Sequence, residues 1–158
     1  MIRRLVRFSM AGAVAGAVAG AVATAVVALV ACADRPAVPP LVVRDAWARR
    51  ADSAATTAAY FVIVNHDTTT VALIAASSPM AESATLHESM QMNNMVHMTP
   101  LDAPQPIAPG DSLVLKEGAK HLMVSGLKRA LVAGDSLPIE LNFSDGRVLH
   151  VSAIVRAP

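Results

Sequence analysis

No stretch of eleven residues after Pro40 carries its apolar side chains at the helical period. Apolar residues come instead in short runs, broken by Gly, Pro, Asn, Asp or Ser, and a chain interrupted that often is limited to short strands. The runs fall at residues 41–49, 57–64, 71–77, 82–88, 95–99, 113–116, 120–125, 137–143 and 147–156. Eight or nine strands at this spacing predict a single all-β domain over residues 41–158, built as an antiparallel β-sandwich. In the first run Val43, Asp45 and Trp47 are expected on one face, although Ala46 and Ala48 weaken the alternation. Asn93-Asn94 and Asp145-Gly146 read as tight turns, the glycine supplying the positive φ that a hairpin needs. Residues 100–110 contain Pro100, Pro104, Pro106 and Pro109 and read as a rim loop, because proline cannot donate to a central ladder.

The sequence ahead of this domain has another character. Ser9 to Ala31 is an uncharged run of 23 residues, preceded by Arg3, Arg4 and Arg7 and followed at once by Cys32. Such a run is long enough to span a bilayer, and its order of basic, apolar and processing-like segments is that of an export signal. Leu29-Val30-Ala31-Cys32 resembles a bacterial lipobox, in which cleavage precedes a cysteine that is then acylated. Residues 1–31 therefore read as a lipoprotein-type signal peptide, as an uncleaved membrane anchor, or as an ordinary secretory leader. All three place the domain outside the cytoplasm, in the periplasm or cell envelope. Cys32 is the chain's one cysteine, so no internal disulfide is available. Residues 32–40 carry Pro36, Pro39 and Pro40 and read as a linker.

Charge narrows the partners. From Ala33 onward there are ten basic and twelve acidic residues, a net of −2. That balance offers no basic surface to nucleic acid.

The chemistry concentrates in residues 87–123, which hold five of the eight methionines and three of the five histidines. Thioethers select soft ions such as Cu(I), whereas Mg and Ca want oxygen. His121 and Met123 stand two apart, so a strand turns both to the same side and Leu122 to the other. A hairpin centred between Met92 and Asn93 sets His87 directly opposite Met98. His87, Met98, His121 and Met123 are thus the candidate metal ligands. All four are neutral with the imidazoles deprotonated, so a bound Cu(I) leaves the site at about +1 and held less firmly than a thiolate would hold it. A blue-copper centre would need a cysteine ligand, and the one cysteine lies in the leader region. Met80, Met90 and Met92 read equally as core fillers or auxiliary donors, Met95 and His97 as secondary or transient ligands, and His66 and His150 as structural or solvent-facing.

Enzymatic readings find little. There is no Gly-x-Ser-x-Gly elbow, no P-loop and no His-Glu-x-x-His motif; His87-Glu88 opens the last, but residue 91 is Gln91.

These residues together resemble the periplasmic copper chaperones of the PCu(A)C family. The likeness rests on His87, ten residues, Met98, then twenty-two residues to His121-Leu122-Met123. It extends to Asp45-Ala46-Trp47-Ala48-Arg49, Ala59-Tyr60-Phe61 and Gly126-Leu127-Lys128, and covers about residues 41 to 156. The interval before His121 is one residue longer than the family's usual spacing, which the proline-rich loop can absorb. The resemblance implies a cupredoxin-like sandwich of Greek-key type that binds Cu(I) through the two His and two Met side chains at an exposed edge. It also implies a role in supplying the CuA centre of cytochrome c oxidase, often beside a thioredoxin-like copper protein. On this reading the protein is a non-enzymatic carrier tethered to the membrane through lipidated Cys32 or its N-terminal helix, and a monomer is expected. Copper buffering without a client, and a structural sandwich whose methionines form an apolar contact patch, are the competing readings.

Overall fold

Every regular element among the described residues is a strand. The structure, a computed structural model, describes residues 39–157 apart from 93, 94 and 103. The leader 1–31, Cys32 with the linker as far as residue 38, and the Asn93-Asn94 turn lie outside the described residues. Among the described residues no helix is long and apolar enough to cross a membrane.

Ten strands follow in order: β1 (Leu41–Arg49), β2 (Thr57–Asn65), β3 (Val71–Ser77), β4 (Ser83–Met92), β5 (Met95–Pro100), β6 (Gln105–Ile107), β7 (Ser112–Leu115), β8 (Lys120–Ser125), β9 (Ser136–Phe143) and β10 (Val148–Arg156). The last two show why the sequence folds this way. Leu137, Ile139, Leu141 and Phe143 of β9 are buried, as are Val151, Ala153 and Val155 of β10, while the residues between them turn outward. The register sets Ile139 opposite Val151 and Leu137 opposite Ala153, so the two apolar rows meet on one face. Gly146, with φ +85°, makes the turn, which the Phe143 N–H closes by donating to Arg147 O at 2.9 Å.

Neighbouring strands run β4–β8–β2–β1–β10–β9–β3, and one further pair, Ala76 opposite Ala84, joins β3 back to β4. Among the described strands only β1 and β10, the first and last, pair in parallel. β7 lies on the second half of β2, and β5 and β6 are the two ends of the path. Phe61, Ile63, Leu73, Leu122, Leu137 and Leu141 fill the interior. The expected β-sandwich is thus present.

Two local expectations are corrected. The pairing of β1 with β2 shifts by one residue between Arg44 and Trp47, with Asp45 in the left-handed region at φ 55°. Val43 lies opposite Ile63, a core residue, but Trp47 lies opposite Tyr60. One extra residue reverses the face of everything after it, so Val43 and Trp47 point to opposite sides. The proline-rich segment is not all loop: β6 pairs with β3, with Pro106 opposite Ala72. Proline is tolerated because β6 is an outer strand of the path.

β4 also outruns its expected end. It pairs with β8 only as far as Glu88, and beyond that residue its ladder is with β5 alone. The ends of β4 and β5 therefore form a two-stranded ribbon past the sandwich edge.

Candidate metal centre

The site is built where β4, β8 and β2 lie side by side. Leu122 and Val124 of β8 enter the core, which obliges His121 and Met123 to face the other way. β4 runs antiparallel to β8 with His87 directly opposite His121 and Thr85 opposite Met123. On the other flank, Ala58 of β2 lies opposite Met123. A methyl group there leaves room above the thioether.

His121 is only 4% exposed although it stands outside the core. Its ring is held between His87, with centroids 6.0 Å apart, and Tyr60, at 6.4 Å. Trp47 packs on Tyr60 at 4.5 Å, and Arg156 lies over Trp47 with Cζ 5.3 Å from the ring centroid. A single cross-strand row, His87, His121, Tyr60, Trp47, thus crosses β4, β8, β2 and β1 and ends under a guanidinium. The bulge at Asp45 brings Trp47 onto this face. Trp47 and Tyr60 are the chain's one Trp and one Tyr. Their scarcity in a sequence so poor in aromatics was the available signal that they are placed for a purpose.

Both imidazoles are oriented through Nδ1. His121 Nδ1 lies 3.0 Å from Ala119 O and His87 Nδ1 lies 3.3 Å from Thr85 O. A carbonyl can only accept, so Nδ1 is the donor in each contact, and in the neutral ring this tautomer leaves the Nε2 lone pair for a metal. Burial pushes the Tyr60 phenol up from its ordinary value, helped by the Glu117 carboxylate and opposed by the Arg49 guanidinium. Tyr60 therefore remains a neutral hydroxyl.

Met98 joins the site by a different register from the expected one. His87 faces Pro100, and Met98 faces Ser89, two residues from the expected pairing. The ladder closes with Met92 opposite Met95, leaving two asparagines between the strands. Because the slip is two residues and not one, Met98 stays on the His87 face.

Met98, His121 and Met123 line one open cavity of about 760 Å³, together with Ala58, Tyr60 and Ser89. His87 lies beside this cavity rather than in its wall, with its ring stacked along that of His121. Among the described residues no three His, Cys, Asp or Glu side chains converge. The sulfur and imidazole donors in the cavity wall are Met98, Met123 and His121, and thioether donors favour soft ions. Met90, Met92, Met95 and His97 lie on the opposite face of the ribbon, and Met90, Met92 and Met95 are exposed, so none of these three is a core filler. Met80 packs against the core.

The family described as "Putative lipoprotein LpqE-like" matches residues 41–155. The chain is similar to "Putative lipoprotein Lxx21020" of Leifsonia xyli subsp. xyli (strain CTCB07), with 34% identity over 84 residues, covering 53% of this chain and 51% of that one. The match thus spans about half the length of that relative. Among solved structures it is similar to the copper-bound PCuAC domain from PmoF2, with a TM-score of 0.61 and 17% identity, covering 80% of this chain and 100% of that domain. It is also similar to apo-DR1885 from Deinococcus radiodurans, with a TM-score of 0.55 and 25% identity over 100% and 97% of the two chains. The fold is the cupredoxin-like all-β sandwich of PCuAC domains.

Proposed function

The chain belongs to the LpqE-like family, and on that premise we propose that it is a Cu(I) carrier working outside the cytoplasm, with no catalytic activity. One observation carries the reading: Met98, His121 and Met123 line the same cavity, with the His87 ring stacked beside His121. The donors are two imidazoles, each with Nδ1 near a backbone carbonyl, and two thioethers. That set suits Cu(I) and leaves the ion loosely enough held to be passed on. A PCuAC domain solved with copper bound has the same fold, which supports the choice of ion.

Release proceeds by ligand exchange. A partner's donor enters through the open cavity, the half-exposed Met98 thioether leaves, and the buried His121 gives up the ion last. Copper remains Cu(I) throughout, so no electron is transferred. The family's description as a lipoprotein supports acylation of Cys32 and attachment to the outer face of a membrane, with the linker 33–40 as tether. The client we assign is the CuA centre of cytochrome c oxidase, reached directly or with a thioredoxin-like copper protein, and the carrier acts as a monomer.

A Cu(I) titration of the purified chain against a chromophoric chelator tests the ion. The pair His121→Ala with Met123→Ala should weaken binding at this site by at least tenfold, and an unchanged affinity would sink the proposal. Delivery is tested separately in a deletion strain under copper limitation. Oxidase activity should fall there, and unchanged activity would mean buffering in place of delivery.

A further inference from the structure

The ribbon formed by β4 and β5 has two faces, and the proposed site uses only one. Register assigns His87, Ser89, Gln91, Val96, Met98 and Pro100 to the face that includes the cavity. The opposite face holds Met90 directly across from His97 and Met92 directly across from Met95. Two adjacent cross-strand pairs thus gather three thioethers and one imidazole. Directly opposed side chains on an antiparallel pair start with Cβ atoms about 4.5–5.5 Å apart, within the reach of Met and His around a common ion.

These methionines are not packing material. Met90, Met92 and Met95 are 47%, 55% and 59% exposed. No residue from Ser89 to Leu101 carries a formal charge, and β5 is exposed along its whole length at the end of the sheet path. Proteins normally protect such an edge with lysine or other charge, because an uncharged apolar edge promotes association. An uncharged ribbon rich in sulfur has a chemical use that would outweigh that liability. Thioethers bind soft monovalent ions, and such an ion would bring the missing charge.

We propose that Met90, Met92, Met95 and His97 form a second Cu(I) site, distinct from the cavity and on the back of the same ribbon. It shares with the proposed function only the choice of ion, because none of its donors belongs to the first set. Being more exposed, it is the weaker of the two and fills second. Its position also places successive donors of β5 on alternate sides: His97 behind, Met98 in front.

The test is a titration of the full chain with Cu(I), and with Ag(I) as a redox-inert probe, read by methionine-methyl NMR alongside a chelator competition. Wild type should take two equivalents, with the Met98 and Met123 methyl signals shifting first and those of Met90, Met92 and Met95 second. The combined variant Met90→Leu, Met92→Leu, Met95→Leu, His97→Gln should take one equivalent, with its first step unchanged. The variant His121→Ala with Met123→Leu should keep one equivalent on the ribbon methionines. A single equivalent in wild type that survives the ribbon substitutions overturns the second site, leaves the cavity site standing and reduces the ribbon to an apolar contact surface. A single equivalent lost only with the ribbon substitutions overturns the cavity site and retains this one.

Discussion

His121 is legible in the sequence as one half of a His-x-Met pair, and its strand position fixes the shared face with Met123. The sequence does not show that the ring is 4% exposed, held between His87 and Tyr60. Burial is decided by strands 30 to 60 residues away in the chain, which local pattern cannot see. Tyr60 allows a direct check of this environment, because it is the one tyrosine. Its pKa is raised, chiefly by burial and then by Glu117. The folded state therefore holds the phenolic proton more tightly than the unfolded chain does. The resulting stability is present below about pH 10, the ordinary tyrosine value, and is lost as pH rises through the native value. An ultraviolet titration should show phenolate appearing above pH 10 in the native protein and near pH 10 in urea. A native midpoint at or below the unfolded one would refute the buried placement.

At the scale of elements, most strands follow from alternation of side chains, and β1, β3 and β8 have the bounds the sequence predicts. The failures are instructive because each is a long-range decision. β6 exists because the edge of β3 was available to accept it, not because residues 105–107 have strand character of their own. Asn65 secures that connection. Its fully buried amide donates to Thr69 O at 2.9 Å and Ile107 O at 3.0 Å, while its Oδ1 accepts the Asp67 N–H at 3.0 Å. Asn65→Ala leaves these buried groups without partners and should lower stability by about 2–4 kcal/mol in denaturant melts. A loss smaller than about 1 kcal/mol would mean that water replaces the amide at little cost.

For the molecule as a whole, acid stability should depend on surface carboxylates. Arg147 beside Asp145 holds that carboxyl below its usual range, and Arg129 does the same for Asp135. Arg147 also reaches Asp67 at 3.1 Å, tying the final hairpin to the loop after β2. For Asp145 and Asp135 the folded pKa is lower than the unfolded one, so the stabilisation is present above about pH 3.9 and is lost as pH falls through the folded value. The denaturant midpoint should drop below about pH 4, and Arg147→Met should lessen that drop from a lower starting value. An identical acid profile in the variant would show that the pair contributes nothing measurable, as many exposed pairs do.

The sequence by itself determined the all-β class, the strand rhythm, the uncharged run before Cys32 and the identity of the four candidate donors. These are properties of residue type and of neighbours within a few positions, where side-chain alternation and thioether chemistry act directly. Only the tertiary structure decided that His87 lies between His121 on one side and Pro100, not Met98, on the other, that Trp47 faces the site, and that Met90, Met92, Met95 and His97 share the reverse face of the ribbon. A one-residue bulge reverses a face and a two-residue slip preserves it. Which of these occurs depends on how strands distant in sequence compete to bury their apolar rows.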